Sequence, residues 1–179
     1  MARLGLFHQV KQEDYSVKQY KAPFSKLLIV VSAAATLVCL GIAFGTPFLP
    51  SPKNWGWIQS NLHWLPLLLM ACCIPFMVLG YIVTPDAILV RRPFWVTRLP
   101  RAGLQSATAD PAATQGSIRT CGNGGLFSFT GLYWSKKLGP YRAYVTDRQR
   151  TVVLRYSGRT VVVSPDEPED FVRALETTP

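Results

Sequence analysis

The sequence predicts an α+β membrane protein, a transmembrane helical hairpin followed by a small antiparallel β-barrel or sandwich with a C-terminal capping helix. Three observations carry this. Two long stretches hold no charged residue. A C-terminal region rich in β-branched residues is cut repeatedly by turn formers. Near its end the apolar pattern changes from a period of two to a helical one. The charged share of the 179 residues is 16%, below the roughly 25% of soluble domains, while the apolar share of 49% is ordinary. So little charge excludes an acidic disordered chain. The net charge of +9 suggests an anionic partner, nucleic acid or phospholipid headgroups, or neither if the charge is a topology signal.

The first uncharged stretch, Leu27 to Leu49, is 23 residues long, and the second, Leu62 to Val83, is 22. About 20 apolar residues rising ~1.5 Å each cross a bilayer core of ~30 Å. The 12-residue connector between them, PSPKNWGWIQSN, is rich in turn formers. The pair therefore reads as a membrane hairpin over residues 27–83, with a pair of buried soluble helices as the weaker alternative. A cleaved leader fits poorly, because 26 residues precede the first stretch and only five apolar residues precede Ser32.

Arg3, Lys11, Lys18, Lys21 and Lys26 precede the hairpin, and Arg91, Arg92, Arg98 and Arg101 follow it. Lys53 is the one basic residue of the connector. This asymmetry places both termini in the cytoplasm. Trp55, Trp57 and Trp64 cluster on the connector side, where amphipathic rings suit the outer membrane interface. Pro66 and Pro75 predict a kinked second helix. Neither span contains Asp, Glu, Lys or Arg, so no proton or ion relay is expected. In the N-terminal segment, residues 1–26, Leu6, Val10 and Val17 suit an amphipathic face lying on a membrane or a partner. A segment without fixed structure is the other reading.

Thr84 to Pro179 is 96 residues, enough for one small domain. Expected strands are Ala87–Val90, Phe94–Leu99, Leu104–Thr108, Ile118–Cys121 and Leu126–Thr130, the last two flanking a Gly122–Gly125 turn. Tyr141–Thr146, Thr151–Tyr156 and Thr160–Ser164 read as a three-strand meander with turns at Asp147–Arg150 and Ser157–Gly158. Asp166 and Glu169 have capping-box spacing, Pro168 falls in a first helical turn, and Phe171, Ala174 and Leu175 share one face of a helix ending near Thr177.

These segments resemble the bacterial pleckstrin-homology-like (PH-like) domain family. The similarity lies in IVTPDAILV (Ile82–Val90), TRLPRAGLQS (Thr97–Ser106), GNGGLF (Gly122–Phe127), FSFTGLYWS (Phe127–Ser135), KKLGPYRAYVTD (Lys136–Asp147) and VVVSPDEPEDFVRAL (Val161–Leu175). The resemblance implies a PH-like barrel of two nearly orthogonal sheets with a C-terminal helix. It also implies a non-enzymatic role, and many similar chains carry two membrane helices before the domain. It supplies no binding motif to carry over.

No catalytic, metal or cofactor site is expected. Cys39, Cys72, Cys73 and Cys121 lack metal-ligand spacing, His8 and His63 fall on opposite membrane sides in this topology, and no histidine follows residue 83. CGNGGL lacks the spacing of a phosphate-binding loop. The charge divides as +3 on residues 1–26, +1 on the connector and +5 on the C-terminal region, so much of it is topology information. The candidate lipid- or partner-binding residues are Tyr133, Trp134, Lys136, Lys137, Arg142, Arg148 and Arg150. Their alternative fates are core aromatics and solvated strand cations. Expected partners are membrane lipids and other membrane-protein subunits or a second copy. Nucleic acid is not expected, because no recognition motif accompanies the charge. The leading reading is a bacterial inner-membrane scaffold or accessory subunit. Anionic headgroup binding by the basic face is the alternative.

Overall fold

A computed structural model describes residues 17–45 and 64–176. Four strands form one sheet in the order β1-β2-β3-β4: β1 (Lys18–Lys21), β2 (Gly80–Val83), β3 (Ala87–Arg91) and β4 (Val96–Pro100). All of its pairs are antiparallel. A second sheet has the order β5-β9-β10-β8-β7-β6: β5 (Leu104–Ala109), β6 (Ile118–Gly124), β7 (Phe129–Ser135), β8 (Gly139–Val145), β9 (Val152–Tyr156) and β10 (Arg159–Val163). Helix α1 (Lys26–Gly45) and helix α2 (Leu65–Cys73) lie in sequence between β1 and β2, and α3 (Pro168–Glu176) ends the described chain.

The core sits between the two sheets and α3. Tyr81, Val83, Ile88, Val90 and Leu99 of the first sheet meet Tyr144, Val152, Leu154, Val161 and Val163 of the second, and Phe171, Ala174 and Leu175 of α3 close the end. Strand alternation creates this arrangement, because every second residue faces inward. A fully buried side chain such as Phe171 is worth about 1.5–3 kcal/mol of apolar transfer. The other face of the second sheet carries a smaller cluster, in which Tyr133, Tyr141, Ala143, Val145, Val153 and Val162 lie beneath Ala113 of the β5–β6 loop. Helix α3 starts on Pro168, where the missing N–H costs nothing, and Glu169 and Asp170 occupy its first turn. Arg101 donates to the carbonyl of Leu175 at 2.5 Å, satisfying an orphan group at the helix end.

Four expectations need correction. The second apolar stretch is not one helix over 62–83. Helix α2 stops at Cys73, a 3₁₀ turn follows at Ile74–Phe76, and Gly80–Val83 is strand β2. Pro75 sits in that turn, and the apolar residues beyond it serve the domain core rather than a helix face. The sheet also crosses the boundary set at residue 84, because β1 comes from the N-terminal segment and pairs with β2, Lys18 opposite Val83 and Lys21 opposite Gly80. The last three strands are not a meander. Strand β10 inserts between β8 and β9, antiparallel to β9 and parallel to β8. Finally, the Gly122–Gly125 turn shifts. Strand β6 runs on to Gly124, and the reversal falls at residues 125–128, where the Gly125 N–H donates to Ser128 O.

Gly122 and Gly131 explain that shift. They are opposite each other in the β6–β7 pair, with φ of 110° and 140°. A Cβ on Gly131 would lie 2.2 Å from the Cys121 carbonyl oxygen. The glycines therefore permit close strand approach rather than forming a turn.

Among the described residues, α1 alone is long and apolar enough to cross a membrane, while Leu65–Phe76 is a shorter apolar segment. Only Leu28, Ser32 and Ala43 of α1 are buried. The helices run antiparallel. Phe44 packs edge-on against Trp64 at one end, with ring centroids 6.1 Å apart. At the other end Ser32 Oγ accepts the Phe127 N–H at 2.9 Å, and Phe76 O accepts from Ser128 Oγ at 3.1 Å and Thr130 Oγ1 at 3.2 Å.

Candidate binding surface

The alternation of β7 decides the fate of the candidate aromatics. Tyr133 points to the outer face and is 8% exposed; its hydroxyl donates to Asn123 O at 2.7 Å and its ring stacks on Tyr141 at 5.8 Å. It is a core residue, and burial pushes its hydroxyl pKa up. Its neighbour Trp134 points the opposite way and is exposed, together with Leu132 and with Ile118, the partner of Trp134 across β6–β7.

The basic candidates do not form one patch. Lys137 Nζ donates to Asp110 Oδ2 at 2.5 Å, and that hydrogen bond holds the Asp110 carboxyl below its ordinary range against the opposing effect of burial. Arg148 donates to Thr114 O at 2.6 Å and lies over the Phe129 ring at 5.7 Å. Arg150 donates to Asp166 O and pairs with Asp147 at 3.7 Å. These three side chains fasten loops. Lys136 is exposed. Arg142 is on the inner face of the second sheet, its guanidinium 5.8 Å from the Tyr144 ring centroid. Of the tryptophans expected at a membrane interface, Trp64 is half-exposed at the end of the hairpin away from the sheets, while Trp55 and Trp57 lie outside the described residues.

Two cavities border the second sheet. On its outer face, about 310 Å³ lies beside Arg119, Arg148, Tyr133 and Tyr141. Its polar groups largely satisfy one another, since Tyr141 donates to Ser117 Oγ, Arg119 to Gly122 O and Arg148 to Thr114. On the inner face, a cavity of about 540 Å³ lies between β4, β7, β8 and the end of α2. It continues into a groove of about 370 Å³ through the shared residues Thr97, Leu132, Arg142 and Tyr144.

Arg92, in the sequence one of the basic residues flanking the apolar stretches, lines the inner cavity. It is 9% exposed. Its Nη1 donates weakly to Phe76 O at 3.5 Å, and its buried Nε has no hydrogen-bond partner among the described residues. The guanidinium is ringed by Tyr144, Trp95 and Phe76, at 5.0, 5.7 and 6.0 Å from the centroids. Burial lowers its pKa, the nearby Tyr144 opposes that, and Arg142 adds like-charge repulsion. Arginine nevertheless remains a cation at neutral pH. The local signal in the sequence was RRPFW at Arg91–Trp95, a basic pair next to aromatics; its burial depends on Phe76 and Tyr144, which lie far away in sequence.

No group of three or more His, Cys, Asp or Glu suited to a metal ion occurs among the described residues. A family model described as "Bacterial PH domain" matches residues 79–178. Neither the curated proteins nor the solved structures contain a match.

Proposed function

The chain belongs to the bacterial PH domain family, and from that premise we propose that it is a non-enzymatic, two-pass inner-membrane protein. Its cytoplasmic PH-like domain would attach other membrane subunits or a second copy of the chain. The domain is a PH-like β-sandwich with a C-terminal helix, an architecture built for interaction. The observation that carries the membrane reading is the β1–β2 pair. Lys21 lies opposite Gly80, so residues 22–79 leave the domain and return to the same place. A segment that exits and re-enters at one point crosses a bilayer an even number of times. Two crossings suit its length, the apolar α1 and the basic residues on both flanks.

The attachment surface is the β6 edge. Strand β6 is the last in its sheet, nearly all of it is exposed, and Ile118, Leu132 and Trp134 stand beside it as an apolar patch. Edge strands with exposed apolar neighbours are natural sites for pairing. Extraction in mild detergent should yield the full chain in stoichiometric complexes or oligomers, and Ile118→Glu with Trp134→Glu should release it. A monomer with no co-purifying subunit overturns the reading.

A further inference from the structure

We propose that the inner cavity at the foot of the helix hairpin binds one anionic phospholipid, its phosphate between Arg92 and Arg142 and an acyl chain along Phe76, Trp95 and the end of α2. This rests on the membrane-anchored reading above. The argument starts from charge. Arg92 is nine-tenths buried with an unpartnered Nε, and a second guanidinium, Arg142, lines the same cavity. Neither the cavity nor the groove continuing from it is lined by Asp or Glu among the described residues. A buried cation without a carboxylate is costly, and the three surrounding rings offset only part of that cost. An anion that brings its own oxygens supplies the missing partners, and two planar guanidiniums suit a phosphate.

The walls select the kind of anion. Cys72, Cys73, Phe76, Trp95, Leu132 and Tyr144 are apolar or aromatic, a poor lining for a hydrated inorganic ion. The rim includes exposed Trp95 and Phe76, with Phe94 beside them 73% exposed. From there the apolar surface continues onto α2, whose Leu68 and Leu69 are exposed. A cavity of about 540 Å³ is within the range of small-molecule sites, roughly 300–1,000 Å³. An amphiphile with a charged head and an apolar tail matches both halves. The site differs from the basic face read in the sequence, where Lys137, Arg148 and Arg150 fasten loops.

The test uses the full chain, extracted from membranes in mild detergent and examined by native mass spectrometry. After delipidation it is titrated with dioleoyl phosphatidylglycerol, dioleoyl phosphatidylcholine or inorganic phosphate. The expected result is one phosphatidylglycerol per chain, held roughly tenfold or more tightly than phosphatidylcholine. Arg92→Gln combined with Arg142→Gln should abolish that preference. Leu132→Glu, which adds a carboxylate at an exposed rim position, should weaken binding even where the arginine variant fails to fold. Arg155→Gln, the loss of one positive charge on β9 outside the cavity and groove linings, should leave it unchanged. Equal retention of the two lipids, binding unaffected by Leu132→Glu, or competition by inorganic phosphate with no lipid preference each overturns the proposal. A chain recovered outside the membrane fraction instead refutes the anchor reading, so the two failures are distinguishable.

Discussion

Single residues hold the two sheets in register. Tyr81 of β2 is fully buried, donates to Tyr144 O at 2.6 Å and accepts the Ser164 N–H at 3.0 Å. Ser164 Oγ in turn accepts the Thr146 N–H at 2.8 Å. One hydroxyl thus joins the first sheet to the ends of β8 and β10. Tyr81→Phe leaves a buried N–H and carbonyl short of a partner and should cost about 1–3 kcal/mol in thermal or denaturant unfolding. Burial, the dominant cause, pushes the Tyr81 hydroxyl up from 10.0 to about 12, although its bonds to Ser164 oppose the rise. A raised folded-state pKa favours the protonated form. Its stabilising contribution is complete below pH 10 and is lost as the pH rises through about 12. The wild-type chain should therefore lose stability over that window and Tyr81→Phe should lose less; equal slopes would refute the assignment. None of this was legible at residue 81 in the sequence, where Tyr81 read as one more apolar residue of a membrane span. Tyr133 was equally ambiguous, because strand alternation predicts opposite faces for neighbours but does not say which face is covered.

At the scale of elements, the sequence located most strands and the final helix. Ala87–Val90, Leu104–Thr108, Thr151–Tyr156 and Thr160–Ser164 each fall within a residue of the observed strands. Alternation and turn formers are local signals, and these strands obey them. Pairing partners are not local. Strand β10 fits between β8 and β9 because its Val161 and Val163 fill the main core while Val162 fills the outer cluster, and nothing within the Thr160–Ser164 segment encodes that slot. Strand β1 was missed for a similar reason. Its four residues, KQYK, bury only Tyr20, and the strand is held from outside. Asp166 N–H donates to Lys21 O at 3.0 Å, Asp166 Oδ1 accepts the Lys21 N–H at 3.1 Å, and the Tyr20 hydroxyl donates to Asp170 Oδ2 at 2.8 Å. That last bond, against the opposing effect of burial and with help from Lys18, holds the Asp170 carboxyl below its ordinary 3.8. A depressed carboxyl pKa stabilises the fold above 3.8 and stops doing so as the pH falls through the lowered value. Asp170→Asn should therefore lower the midpoint of thermal unfolding at neutral pH, and the gap from wild type should close in strong acid. A gap of the same size at both pH values would mean that the carboxylate charge plays no part.

For the whole molecule, the β1–β2 pair brings residues 21 and 80 together, and on the proposed membrane-anchored reading both ends of the hairpin therefore lie on the same side. With Cys39, Cys72 and Cys73 replaced by Ala, exposed Cys121 reports on the second sheet; with Cys121 also replaced, Lys18→Cys reports on β1. In spheroplasts both positions should resist an impermeant maleimide and react after lysis. One labelled and the other protected would break the even-crossing argument. The hairpin is also fixed to the domain at several points: Ser25 N–H donates to Thr146 O at 3.3 Å, Phe127 N–H to Ser32 Oγ, and three side chains converge on Phe76 O. By itself the sequence determined the order of the parts: an apolar stretch able to span, a β-rich domain, a closing amphipathic helix and basic flanks. These follow from hydrophobicity and period, which are written along the chain. Only the tertiary structure decided where the second stretch stops being helix, that the N-terminal segment supplies a strand, and that Arg92 is buried beside Arg142 without a carboxylate. Each depends on contacts between residues distant in sequence, and burial of a charge is a property of its surroundings rather than of its own position in the chain.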